Sequence, residues 1–331
     1  MEEVLNVLPP YIVSKIKESV TASELNELEE IRLRVHRPTE VVLTSRSIMI
    51  DSIQLTQEES KRFLARISQH SVYRLEEELK RGFITLPGGH RIGLSGSVNI
   101  QDGMVKAISH VSSFNIRVAR AIIGSAQMIS PMIMDNHSNV LNTLIVGPPK
   151  TGKTTILRDI IRQISDAENG FQHHRVGLID ERNEIAATLN GIPQQPVGNR
   201  TDVMSDCPKA EGIIMMIRSM SPEVIVVDEI GHEKDSQGLL EAVYAGVKLI
   251  CSVHGESIED IQKRPSIQAL IRERAIERFV FLDRLSPPGT VKNVYNHRFE
   301  EIKRAERIRS VQHEMDRHAA HPVHVHVGRN R

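Results

Sequence analysis

An α/β fold is predicted: a mostly parallel sheet with helices on both faces, preceded by a smaller mixed α/β domain. Three observations predict it. From Thr143 to about Asp283, short apolar runs alternate with helical patterns, the rhythm of successive strand–helix–strand units. The runs at residues 144–146, 176–179, 224–227, 249–252 and 279–282 are continuous rather than alternating, as strands covered on both faces must be. The first of them enters a glycine-bearing turn that opens a helical pattern at Thr155-Ile156-Leu157.

Elements follow in chain order. Pro9-Pro10 is a helix start signal, and residues 11–20 are amphipathic at helical spacing. Strand-like runs are expected at 30–35, 41–44 and 47–50, then helices at 57–69 and 72–81. A strand-rich part covers 83–86, 91–98 and 113–118, with Gly88-Gly89 and Asp102-Gly103 as turn signals. The polar, turn-rich stretch Asp135-Asn136-His137-Ser138-Asn139 marks a boundary. The expected division is therefore 1–135 for the N-terminal domain, 136–298 for the parallel-sheet domain, and 299–331 for a charged C-terminal tail. That tail is helix-forming at first and ends with His318, His321, His324 and His326, which reads either as a metal tract or as a disordered end.

Composition narrows the function. The 331 residues are 40% apolar and 25% charged with a formal net charge of zero, so no global field draws the chain to nucleic acid or an anionic membrane. Aromatics are 3% with no Trp, which leaves few platforms for base stacking. Cys207 and Cys251 form neither a ligand spacing nor a disulfide framework, which fits a reducing cytoplasm. The N-terminus has no signal-peptide pattern and no apolar run reaches a membrane span, so work at a membrane would require partners.

The chemistry is spelled by Gly147-Pro148-Pro149-Lys150-Thr151-Gly152-Lys153-Thr154, with Thr155 in the first helical turn. Glycines let successive N–H groups point inward and form a concave anion site, to which the helix from Lys153 adds its positive end. Lys153 is placed to bridge the β- and γ-phosphates of ATP, and Thr154 offers a hydroxyl to Mg2+. Downstream, Val224-Ile225-Val226-Val227 ends in Asp228-Glu229. Asp228 is the candidate partner of Mg2+, and Glu229 the candidate base for an attacking water, which points to hydrolysis rather than binding alone.

Asp180-Glu181-Arg182-Asn183-Glu184 closes the preceding strand, and its Glu184 is a candidate catalytic acid. A metal-water role and a capped helix start at Asp180 are both open there. His254, after the strand at 249–253, is either a γ-phosphate contact or a satisfied structural histidine. Arginine-finger candidates are Arg32, Arg34, Arg37, Arg117, Arg120, Arg200 and Arg218; each also reads as a surface ion-pair member.

In order along the chain, these segments resemble the stage III sporulation protein AA family of endospore-forming bacteria. They are Glu29-Glu30-Ile31-Arg32-Leu33-Arg34, Gly82-Phe83-Ile84-Thr85-Leu86-Pro87-Gly88-Gly89-His90-Arg91, Asn115-Ile116-Arg117-Val118-Ala119-Arg120, Ile179 to Ala186, Arg218 to Glu223, Asp228-Glu229-Ile230-Gly231 and Ala245 to Gly255. That family is related to the hexameric ATPases of type II and type IV secretion and pilus assembly. The resemblance implies a RecA-like P-loop domain and a homo-hexameric motor. The motor would serve an export or feeding channel between mother cell and forespore, docked through membrane proteins on the mother-cell side. Asp180–Glu184 then looks like an aspartate box and Ser252–His254 like a histidine box. Asp228 departs from the pattern, because secretion ATPases often lack that aspartate, and Lys150 and Thr151 stand where smaller residues are common. The competing classes are a RecA-like nucleic-acid motor or loader, which neutral charge disfavours, and a small-molecule kinase, which Glu229 disfavours.

Overall fold

The computed structural model describes residues 2–68 and 79–302. Residues 72–78 of the expected helix, and the tail from 303 with its four histidines, lie outside the described residues. The chain divides into two compact units, Met1–Ala121 with Ala187–Gln195, and Ile122–Ala186 with Pro196–Arg331.

In the first unit, α1 (Glu2–Val7) and α2 (Pro10–Ser19) lead into α3 (Ala22–Leu25). Pro10 sits in the first turn of α2, where the missing N–H removes no helical bond. Thr21 and Glu24 close a capping box on α3, and Thr56 and Glu59 do so on α4 (Gln57–Ile67). Six antiparallel strands form one sheet in the order β3-β2-β1-β6-β5-β4. They are β1 (Leu28–Arg34), β2 (Arg37–Leu43), β3 (Ser47–Gln54), β4 (Phe83–Thr85), β5 (Arg91–Gln101) and β6 (Met104–Arg117). Leu28, Ile31, Leu33, Val41, Phe114 and Ile116 point to the face that α1, α2 and α4 cover, and Phe63 of α4 meets Phe114 edge-on at 4.9 Å. Asp102 (φ 53) and Gly103 (φ 76) form the β5–β6 turn, with the paired positive φ values such a tight hairpin requires. Both strands extend beyond the expected 91–98 and 113–118. Residues 95–101 are all exposed, so the extra length carries no inward-facing apolar alternation to reveal it.

The turn after β4 holds a buried histidine. Leu86 N–H donates to His90 O at 2.8 Å, and the His90 ring accepts the Ala119 N–H on Nδ1 at 2.9 Å. Burial pushes the imidazole below its ordinary value of 6.5, while Glu3 pulls it the other way. A depressed folded value means that the unfolded chain binds the proton first. The stability from neutral His90 is present above about pH 6.5 and is lost as pH falls toward the folded value. Melting curves of the wild type should therefore drop more steeply from pH 7.5 to 5.5 than those of His90→Asn, which keeps an acceptor and does not titrate. Equal slopes would show that another group sets the acid sensitivity.

The second unit holds a seven-stranded sheet in the order β13-β12-β7-β11-β10-β8-β9. Its strands are β7 (Thr143–Val146), β8 (Val176–Asp180), β9 (Thr201–Ser205), β10 (Val224–Val227), β11 (Lys248–Val253), β12 (Arg278–Leu282) and β13 (Val291–Asn296). All neighbours are parallel except β12 with β13. The helices are α5 (Lys153–Asp166), α6 (Lys209–Met220), α7 (Glu233–Tyr244), α8 (Ile258–Gln262) and α9 (Pro265–Arg272).

Alternate residues of each strand serve opposite layers. Ile145, Leu178, Val226 and Ile250 pack with Ile156, Leu157, Ile160 and Ile164 of α5. Leu144, Val146, Ile225, Val227 and Cys251 pack with Ile213 and Met216 of α6, Leu239 of α7 and Leu270 of α9. This is the expected mostly parallel sheet with helices on both faces. The edge strands β9 and β13 are not anticipated from sequence: they are half-buried and polar in part, so neither makes a continuous apolar run.

Candidate nucleotide site

The glycine-bearing turn sits where β7 ends. Gly147 N–H donates to Val253 O at 3.2 Å, and the Thr151 hydroxyl donates to Pro148 O at 2.8 Å, so the turn is held from both ends. Gly152 precedes α5 with φ 88, and a Cβ there would lie 3.0 Å from the backbone nitrogen of Gly289, whose N–H donates to Thr151 O at 2.9 Å. Only glycine fits this close approach. No side chain caps α5, and no acid stands in its first turn. The opening N–H groups at Lys153, Thr154 and Thr155 have no intrahelical acceptor, a donor array that suits an anion.

Lys153 is buried at 7% exposure, and its ammonium spends its three donors on Gly147 O (2.8 Å), Pro148 O (2.8 Å) and His254 Nδ1 (3.0 Å). Burial depresses its proton affinity, with Asp228 and Glu229 acting in the opposite sense. Because a charged lysine only donates, His254 Nδ1 must accept. His254 Nε2 faces Glu229 Oε2 at 3.1 Å, and a carboxylate only accepts.

The sheet order explains this chain. β11 lies between β7 and β10, with Val253 level with Val146 and Cys251 level with Val227. His254, leaving β11, is thereby placed between the turn lysine and Glu229, which leaves β10. β8 flanks β10 on the other side, with Ile179 level with Val227, and Arg182 Nη1 donates to Glu229 Oε2 at 3.0 Å. The order Lys153, His254, Glu229, Arg182 across the crevice is the strand order β7, β11, β10, β8.

Asp228 is 7% exposed; its Oδ1 accepts from Ser252 Oγ at 3.0 Å and from Glu229 N–H at 2.9 Å. Its Oδ2 faces Thr154 Oγ1 at 3.4 Å. A hydroxyl and a carboxylate are hard oxygen donors, the kind Mg2+ takes beside substrate phosphates and water. Among the described residues no group of three or more His, Cys, Asp or Glu forms a metal cage. The donor set, a hydroxyl and one carboxylate, fits a phosphate-borne Mg2+ at Thr154 and Asp228.

Asp180 is fully buried. Its carboxylate accepts the N–H groups of Glu184 (2.8 Å), Ile185 (3.0 Å) and Ala186 (2.8 Å), yet no helix starts there. The capping reading is corrected to a tied turn, because Asn183 at φ 53 bends the chain out of helical geometry. Burial pushes the Asp180 carboxyl up, and the three N–H groups counter it. Arg158 of α5 holds the same turn, donating to Ile185 O at 2.6 Å and Glu184 O at 2.7 Å. Glu184 itself is exposed. Arg218 is exposed in the last turn of α6, which leads to the amino end of β10, so the structure does not bring it to the crevice.

Of the other arginines, Arg32 and Arg34 pair with Glu30 and Glu40 and, with Arg117, line an open pocket of about 250 Å³ in the first unit. Arg120 donates to Leu28 O, and Arg200 to Ser165 O. Sequence reasoning missed Arg182, Ser252 as the Asp228 partner, Arg158 and Gly289. The first two lie inside stretches already singled out, where acids and the histidine drew attention away from them.

The sequence matches the family described as "Sporulation stage III, protein AA" over residues 1–302. It is 47% identical over 296 residues to "Stage III sporulation protein AA" of Bacillus subtilis (strain 168), covering 89% of this chain and 95% of that protein. The fold is similar to that of the Legionella pneumophila ATPase DotB, with a TM-score of 0.55 at 14% identity over 93% of this chain and 87% of that one. It is similar also to the pilus retraction motor PilT with bound ADP, with a TM-score of 0.55 at 16% identity over 90% and 86%. No helix among the described residues is long and apolar enough to cross a membrane.

Proposed function

The chain belongs to the stage III sporulation protein AA family, and from that premise we propose that it is an ATP-hydrolysing, Mg2+-dependent motor of the secretion-ATPase type. The single observation that supports this most is the Lys153–His254–Glu229 chain, which links a phosphate-binding turn to a carboxylate positioned as a base. In the proposed reaction the opening N–H groups of α5 and Lys153 hold the phosphates, Lys153 exchanging its turn carbonyls for phosphate oxygens. Thr154 and Asp228 would hold Mg2+, which neutralises developing phosphate charge when bound. Water oxygen bonds to the γ-phosphorus, the bond to the bridging oxygen breaks with its electron pair leaving on ADP, and the water proton passes to Glu229 Oε1.

The working form is proposed to be a homo-hexameric ring, docked on membrane proteins at the cytoplasmic face on the mother-cell side. Arg32, Arg34 and Arg117 are the proposed source of a cation acting on a neighbouring copy's phosphates. Phosphate release per chain, measured against protein concentration, should rise as copies assemble. Turnover independent of concentration would remove the ring, and stimulation by single-stranded DNA or RNA with steep salt dependence would assign the motor to nucleic acid instead.

A further inference from the structure

We propose that Arg182 is a positioning residue for Glu229, and that with His254 it turns one oxygen of the carboxylate toward the attacking water. The inference rests on reading Glu229 as the base. Two side chains converge on the same atom: Arg182 Nη1 donates to Glu229 Oε2 at 3.0 Å, and His254 Nε2 lies 3.1 Å from it. The arginine N–H occupies Oε2, against which the His254 ring is also packed, and leaves Oε1 as the oxygen that takes a proton. The main chain beneath is fixed as well, since Glu229 N–H donates to Asp228 Oδ1 at 2.9 Å.

Arg182 is itself presented from a rigid base. The turn that carries it is closed by Asp180, which accepts three successive N–H groups, and by Asn183 N–H donating to Asp180 O at 2.9 Å. Asp206 N–H donates to the same carbonyl at 3.2 Å, and Arg158 grips the turn's far end. The neighbouring Glu181 is drawn to Lys209, so the two charges of this turn serve opposite directions. As a pair on a half-exposed surface, Arg182 and Glu229 contribute little to folding; at 59% exposure for the arginine side chain, solvent screens most of the attraction. An orienting role needs only geometry, and displacement of a reacting group by about 1 Å costs on the order of 100-fold in rate.

Steady-state phosphate release, calorimetric uptake of Mg·ATP and melting temperature, measured on the full chain for the wild type, Arg182→Ala and Arg182→Lys, test this. Turnover of Arg182→Ala should fall about 10- to 100-fold, with KM, Mg·ATP affinity and melting temperature unchanged. Arg182→Lys should recover part of the rate, because a single nitrogen makes the contact. Adding Arg182→Ala to Glu229→Gln should cost nothing further, since the residue acts through that carboxylate. Should Arg182→Ala fail to fold, Arg182→Gln is read by the same criteria. Wild-type or faster turnover in the Arg182 variant, or loss of Mg·ATP affinity, overturns the proposal. Full turnover in Glu229→Gln alone would instead remove the underlying reading of the base.

Discussion

Glu229→Gln is expected to stop turnover while leaving Mg·ATP bound. The amide keeps the length and shape of the side chain; its carbonyl oxygen still accepts from Arg182 Nη1, now 3.0 Å from Oε2, and still lies against the His254 ring, now 3.1 Å away. What disappears is the proton acceptor. Loss of a positioned base removes about 10²- to 10⁴-fold in rate. The groups proposed to hold the triphosphate are separate. Thr154 faces Asp228 at 3.4 Å, Ser252 holds Asp228 at 3.0 Å, and the Glu229 main-chain N–H reaches Asp228 whatever side chain follows. Phosphate release should therefore fall by at least two orders of magnitude, while calorimetric affinity for Mg·ATP is retained. Undiminished hydrolysis would mean that another group activates water, and Glu184 would be the next to test.

How much of this was legible in the sequence depends on whether the signal is local. The turn from Gly147 to Thr154 and the Val224–Val227 strand ending in Asp228-Glu229 are contiguous patterns, and each folds as its spacing predicts. His254 was legible as a polar residue at a strand's carboxyl end, but not as the link between Lys153 and Glu229. That link follows from β11 lying between β7 and β10, and strand order is decided by crossovers that leave no mark in any one segment. Arg182 was hidden for the same reason: nothing near residue 182 reveals that β8 borders β10. The exposed ribbon of β5 and β6 and the edge strands β9 and β13 escaped because they bury too little to write an apolar period. Arg218 was named for its nearness in sequence to the Asp228 strand, yet a helix entering a parallel strand ends at the edge opposite the ligand crevice.

Lys153→Ala is expected to abolish both binding and turnover, with stability nearly unchanged because two effects on the fold oppose each other. Removing the ammonium leaves Gly147 O and Pro148 O without their donor at 2.8 Å, and a buried unpaired polar group costs about 1–3 kcal/mol. The same deletion removes a buried cation whose proton affinity burial already depresses, so a desolvation penalty of the opposite sign is relieved. The turn also keeps bonds that do not involve the lysine, Thr151 to Pro148, Gly147 to Val253 and Gly289 to Thr151. The net change in melting temperature should be small. Binding has no such compensation. Each hydrogen bond from the ammonium to phosphate contributes about 1.5–3 kcal/mol, so two of them account for roughly 10²- to 10⁴-fold in affinity. The opening N–H groups of α5 remain, but they contact the phosphates in the wild type as well and do not replace what the ammonium supplied. Calorimetry on Lys153→Ala should therefore show no Mg·ATP uptake at concentrations that saturate the wild type, under a melting curve close to that of the wild type. Retained uptake would show that the backbone alone holds the triphosphate and that Lys153 serves the turn's own carbonyls; loss of folding would show that the lysine's structural bonds outweigh its desolvation.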